Sequence, residues 1–258
     1  MRTNHQPFNL EKSLERINAI LNDSNTYHEA NDVPKIEDLT FNNGKYVKCV
    51  GFFIDLRGST DLIKTQGRKS KTLARVYRAY ISEIVAIVNS FKSCKEVNIV
   101  GDCVSAIFAG EKENSKRPVI EALQAATASN GIMSVLNVKF KRKWGRDFKE
   151  IKAGIGIALG RALVIKAGFS GSGINDLIYM GDVVNRASKM CGLAYKEFSE
   201  PICVTEVVYS SSGSYKFGLG NSITYQDFLK ENYHPKHGKV YTGDFMSKDV
   251  HDWIRDNK

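Results

Sequence analysis

Two aspartates, Asp55 in VGFFIDLRGSTDL and Asp102 in VNIVGDCVSAIF, each stand at the end of an apolar, β-branched and aromatic run. Such runs predict strands, and a strand holds a carboxylate at its tip in a fixed position. Carboxylate oxygens so fixed are what a hard divalent cation such as Mg²⁺ requires. It takes one or two oxygens from the protein and the remainder from water and substrate phosphates. A bound nucleoside triphosphate would complete such a site.

The elements that must position these carboxylates follow from periodicity. Residues 10–21 place Leu10, Leu14, Ile17 and Leu21 on one helical stripe opposite charged residues, so this helix is expected to pack on the core or on a partner. After a polar loop through Asn43 and Gly44, KYVKCVGFFIDL predicts a strand ending at Asp55, and the apolar spacing over 70–92 predicts a long helix. VNIVGDCVSAIF predicts two strands with Gly101 and Asp102 at the turn between them. A second helix is expected over 117–137, followed by a basic loop, and then a strand from residue 150 that turns near Gly160 into another. GFSGSGIND at 168–176 predicts a flexible connection, a helix enters near Gly181, PICVTEVVY predicts a late strand, and GKVYTGDF a further one. The order β-α-β-β-α-β predicts an α+β fold of the ferredoxin-like, split βαβ kind, with both aspartates at strand ends on one edge of the sheet.

Composition narrows the class. With 258 residues and 42% apolar content, the chain can bury one sizeable core. No apolar run approaches the roughly 18 residues of a membrane span, and MRTNHQPFNLEKSLERI lacks the apolar stretch of a secretory leader, which points to the cytoplasm. Five cysteines without a CxxC pair read as reduced core residues, and the histidines, all in polar stretches, as surface residues. The formal charge of +9 favours an anionic partner. Its clusters, KFKRKWGR at 139–146 and GRKSKTLARVYR at 67–78, read first as solvated faces. No zinc-finger spacing, RNA-binding aromatic motif or heptad accompanies them, so nucleic acid is not the expected partner.

Three segments, FFIDLRGST, IVGDCVSAIF and YMGDVVNRASKM, resemble in this order the metal, hairpin and helix-start motifs of the class III nucleotide cyclases, the adenylate and guanylate cyclase family. The resemblance implies a catalytic domain over 45–210, an N-terminal helical extension over 1–44, and a C-terminal extension over 211–258 that completes the domain. It implies that Asp55, Asp102 and the backbone carbonyl at Leu56 hold two Mg²⁺ or Mn²⁺ ions. One ion would lower the pKa of the ribose 3′-hydroxyl and the other would neutralise the triphosphate, so that the alkoxide attacks the α-phosphorus and pyrophosphate leaves. Asn185 would orient the ribose. Lys189 stands where the family places an arginine acting on the transition state, and it offers a point charge rather than a planar fork. Arg186 is an alternative donor. The resemblance also implies a homodimer with active sites at the interface, the metal aspartates from one subunit and Asn185 with its basic neighbours from the other. Tyr179, Met180, Met190 and the N-terminal stripe are candidate interface material, although methionine and aromatic stripes more often belong to a core.

Base choice departs from the family pattern. Cyclases that use ATP carry Lys and Asp at the positions of Asn98 and Ile178, and those that use GTP carry Glu and Cys; this chain has neither pair. With Phe53, these are the candidate substrate-binding residues. A cyclase without purine-reading residues is similar to the pyrimidine cyclases of bacterial Pycsar antiphage systems. That similarity implies conversion of UTP to cyclic UMP, a second messenger for a separate effector protein in antiviral defence. A cytidylate cyclase, a divergent purine cyclase and a catalytically silent binding domain are the alternatives. A single amide at Asn98 can flip to suit uracil or cytosine, so the residues leave that choice open.

Overall fold

A computed structural model of the protein describes residues 5, 7–59, 70–110, 116–169, 174–213 and 223–257. The central pair of strands is β2 (Asn43–Arg57) and β5 (Lys152–Phe169), antiparallel to each other from Gly44↔Ile165 to Arg57↔Lys152. Around it a mixed sheet runs β3-β4-β2-β5-β7-β9-β8, with β3 at Cys94–Val100, β4 at Cys103–Phe108, β7 at Ile202–Thr205, β8 at Lys230–His234 and β9 at Gly238–Gly243. Two short strands pair with the distal halves of the central ones: β1 (Thr26–Ala30) lies parallel to β2, and β6 (Ile174–Met180) antiparallel to β5. The helices are α1 (Leu10–Asn22), α2 (Ser70–Asn89), α3 (Arg117–Trp144), α4 (Asp182–Leu193), α5 (Glu206–Ser212) and α6 (Lys248–Asn257).

Period-two alternation in β2 sorts the molecule into layers. Val50, Phe52, Ile54 and Leu56 pack with Val76, Tyr80, Ile84 and Val88 of α2 and with α3, forming the larger core. Val47 and Cys49 face the other way, toward Val183 and Ala187 of α4. The β2-α2-β3-β4-α3-β5 order is the split βαβ arrangement that the periodicity predicts.

Several elements differ from expectation. β2 begins at Asn43, inside the expected loop, and continues two residues past Asp55, because Leu56 still pairs with Ala153 and buries its side chain. β5 runs through Gly160 without turning. The glycine sits under Val183 of α4 and stays in the ladder with Cys49. The basic stretch at 139–146 is mostly the last turns of α3, held by Phe140 and Trp144 against Phe148, with Lys141, Arg142 and Lys143 at the helix C-terminus where cations are favoured. PICVTEVVY is a strand only as far as Thr205, after which α5 starts. β1, β8 and α6 lie in stretches too polar to announce themselves. α1 forms over the expected residues but buries none of them. His234 is buried and bonded to Glu197 at 2.7 Å, contrary to a surface assignment. The described ends of the 168–176 stretch are strand rather than a flexible connection, Gly168 and Phe169 closing β5 and pairing with Asn175 and Ile174 at the start of β6. Its middle, at 170–173, and the first residues of the 67–78 basic cluster, at 67–69, lie outside the described residues.

α4 approaches the sheet more closely than a side chain on β5 would allow. A Cβ on Gly156 would overlap the Cys191 amide and the Ala187 carbonyl, backbone atoms that cannot move without shifting the helix. Gly156→Ala should therefore lower the unfolding free energy by about 1–3 kcal/mol. Denaturant unfolding checks this, and Gly192→Ala, at a helical position with open space, is the control that should leave stability unchanged or raise it by up to about 1 kcal/mol.

Candidate active site

The two aspartates are brought together by different devices. Asp55 is fixed on β2 opposite Gly154 of β5. Asp102 occupies the turn of the β3–β4 hairpin, preceded by Gly101 at φ +64°, a conformation that two-residue hairpin turns demand and a side chain resists. The carboxyls are close enough to repel. Burial first, and then the neighbouring Asp102, push the Asp55 carboxyl above its ordinary pKa, against the opposing pull of Arg57 and Lys196.

Arg57 is the residue that sequence reasoning passes over. Its side chain is only 9% exposed. Nη1 donates to Asp55 Oδ2 at 3.0 Å, Nε donates to the Ala194 carbonyl at 2.9 Å, and Nη2 donates to the Cys191 carbonyl. The metal-motif strand is thereby tied to the C-terminal end of α4. A signal for it does exist, since residues two apart on a strand share a face.

The donor set fits a hard cation. Asp102 Oδ2 is buried and has no hydrogen-bond partner among the described residues, an expensive state for a carboxylate unless a cation completes it. The nearby Cys103 thiol is pushed up to about 12 by burial and by the surrounding negative groups, so without a cation it is a neutral thiol beside the two carboxylates. Among the described residues no cluster of three or more His, Cys, Asp or Glu is poised for a metal. Two carboxylates, with no histidine among the residues described around them, match Mg²⁺ or Mn²⁺ better than zinc. The Leu56 side chain is in the core, between the two site residues that flank it in the chain.

α4 divides its residues by face. Val183, Ala187, Met190 and Cys191 are buried, whereas Asn185 and Lys189, one turn apart, lie outside that buried set. Arg186 faces Asp182 at 3.5 Å. Lys189 lies near His237 of the β8–β9 turn, where it adds to burial and to His234 in lowering the His237 pKa. Within one subunit, Asn185 and Lys189 thus belong to the outer face of α4, and among the described residues no hydrogen bond or ion pair joins them to Asp55 or Asp102.

The candidate base-reading residues form a cross-strand row. Phe53 pairs with Ser105, and Ser105 with Asn98, so the three side chains share the α4 face of the sheet one step from Asp55. Asn98 Nδ2 donates to Glu96 Oε1 at 2.6 Å, and the Tyr179 hydroxyl donates to Glu96 Oε2 at 2.7 Å. β6 therefore meets β3 through Tyr179. Ile178 is 45% exposed and, as the strand neighbour of Tyr179, points away from that contact, so it is not brought beside Asn98. Glu96, Ser105 and the bridging role of Tyr179 are further residues that sequence reasoning misses. A period-two reading outward from Asn98 finds Glu96.

A split βαββαβ unit with one carboxylate on its central strand and a second in the neighbouring hairpin turn is the arrangement expected of a class III nucleotide cyclase catalytic domain. The chain belongs to the adenylate and guanylate cyclase catalytic domain family, whose model matches residues 42–225. It is 64% identical, over the whole of both chains, to a uridylate cyclase from Gulbenkiania mobilis. It is 32% identical to a uridylate cyclase from Treponema porcinum, across 96% of this chain and 81% of that one. Among solved structures, the adenylyl cyclase CyaB from P. aeruginosa has the same fold, with a TM-score of 0.63 and 20% identity over 80% of this chain and 98% of that one. The protein is a nucleotide cyclase, and cyclases of this class use divalent metal ions.

A carboxyl whose pKa is raised on folding favours its protonated form in the folded state, so stability is lost as pH rises through that raised value. Asp55→Asn removes this cost while keeping an acceptor for Arg57. In EDTA at pH 7 the variant should melt about 1–3 °C above the parent, and the difference should close as pH falls below about 4. Thermal melts across pH check it; equal melting throughout would refute the electrostatic reading of the site.

Proposed function

We propose that the protein converts UTP to cyclic UMP and pyrophosphate, with Asp55, Asp102 and the Leu56 carbonyl binding two Mg²⁺ or Mn²⁺ ions. The observation that carries this reading is the full-length, 64% identity to a uridylate cyclase, in a chain whose paired carboxylates include an unpartnered buried oxygen. The ions would lower the pKa of the ribose 3′-hydroxyl and neutralise charge on the triphosphate. The protein's own residues do the rest. Phe53 supplies an apolar surface for the base, Asn98 offers its amide to the base edge, and Arg57 keeps the Asp55 carboxylate aimed. Asn185 orients the ribose, and Lys189, with Arg186 the alternative donor, offsets the charge that develops on the phosphates. No general base is required among the histidines.

The separation of Asn185 and Lys189 from the aspartates within one subunit supports a homodimer in which each site draws on both chains. The catalytic unit is taken as 45–210, with 211–258 completing its sheet. Among the described residues no helix is long and apolar enough to cross a membrane, which is consistent with the cytoplasmic setting proposed for it. Resemblance to the antiphage pyrimidine cyclases supports a role in antiviral defence, with cyclic UMP acting on a separate effector.

Purified protein incubated with Mn²⁺ and each of ATP, GTP, CTP and UTP should give cyclic UMP as the main product by mass spectrometry. Asp55→Ala and Asp102→Asn should each reduce turnover by roughly 10³-fold. A cyclic purine as the main product would overturn the substrate assignment while leaving the class intact. Mixing Asp55→Ala with Asn185→Ala subunits tests the shared site. Random exchange should leave one intact site in half of the dimers and restore about a quarter of parental activity. A mixture as inactive as its components would rule out sites built across the interface.

A further inference from the structure

Glu96 belongs to neither the metal site nor α4, yet both of its oxygens are engaged at the row that faces the base. Oε1 accepts from Asn98 Nδ2 at 2.6 Å and Oε2 from the Tyr179 hydroxyl at 2.7 Å. We propose that Glu96, anchored by Tyr179, locks the Asn98 amide in one orientation and so decides which of the two pyrimidines the enzyme accepts. This inference rests on the reading of Asn98 as the base-reading residue.

The chemistry of the lock is simple. A carboxylate oxygen only accepts hydrogen bonds, so only the NH₂ end of the amide can face it. Turning the Asn98 side chain over would set Oδ1 against Oε1, two acceptors at hydrogen-bonding distance with no proton between them. The carboxylate cannot retreat readily, because Tyr179 holds its other oxygen. Tyr179 is itself half-buried, packed on the smaller core and carried on β6, which is paired along the distal half of β5. The amide therefore presents one fixed order of donor and acceptor to its surroundings.

Uracil and cytosine differ in that order. Uracil offers a C4 carbonyl acceptor beside an N3–H donor; cytosine offers a C4 amino donor beside an N3 acceptor. An amide free to flip serves both edges, and a locked one serves one of them and meets the other acceptor to acceptor and donor to donor. Glu96 is a positioning residue in this scheme. It acts through Asn98.

The test compares kcat/KM for UTP and CTP in the parent, Glu96→Gln, Tyr179→Phe and Asn98→Ala. The side chain introduced by Glu96→Gln can present either an NH₂ or a carbonyl to Asn98, so the lock is lost with little change in shape. Glu96→Gln should lower the UTP/CTP ratio by about 10- to 100-fold, chiefly through a lower KM for CTP, with the melting temperature unchanged. Tyr179→Phe should move the ratio the same way by a smaller factor. An unchanged ratio in both variants, including a parallel fall with both nucleotides, overturns the proposal. If Asn98→Ala shifts the ratio in that case, the base-reading role of Asn98 survives and only the lock fails. If Asn98→Ala leaves the ratio as it was, the base-reading assignment fails and the lock falls with it. A parent enzyme that already uses UTP and CTP equally also overturns the proposal.

Discussion

The buried guanidinium of Arg57 joins the parts of the catalytic face. A nearly buried cation is costly unless its hydrogen bonds are met by acceptors of opposite or partial negative charge. Here they are met by Asp55 and by the Cys191 and Ala194 carbonyls at the end of α4, where the helix dipole concentrates negative charge. The glycines of β5 permit the close approach, and the arginine fixes it. Through this contact the metal end of the sheet and the helix carrying Asn185 and Lys189 become one rigid unit, so neither can shift without disturbing the other.

Electrostatics sets the character of the site. Two carboxylates at one end of the sheet, one with a bare buried oxygen, form a local excess of negative charge that Arg57 offsets only in part. Burial and these carboxylates together keep the adjacent thiol protonated. The result is an oxygen-rich site whose donors suit a hard cation, set beside a surface of Phe53, Ser105 and Asn98 with quite different properties.

Legibility in the sequence follows the strength of local patterns. The central strands, the two long helices and the hairpin at Asp102 are readable because alternation and helical spacing there run for many residues. Asp55 and Asp102 stand out for the same reason. β1, β8 and α6 escape because their pairing partners lie elsewhere in the chain or their own residues are mostly polar. Gly160 misleads because a glycine in a strand reads as a turn, whereas its reason is the close approach of α4. Arg57 and Glu96 are hidden by a different fact: each acts across the fold, on α4 and on β6 respectively, and local spacing says nothing of such meetings.

The long pairing of β2 with β5 has a consequence for the order of assembly during synthesis. β2 emerges from the ribosome early, yet its main partner β5 is made only after α2, the β3–β4 hairpin and α3. Pairings so far apart in sequence form slowly, and until they form the apolar face of β2 stays open to misassociation. The Asp102 hairpin can close from local contacts, whereas the Arg57 clamp must wait for α4, later still. The catalytic face is thus finished late, and an incompletely synthesised chain carries an aggregation hazard before it carries a site.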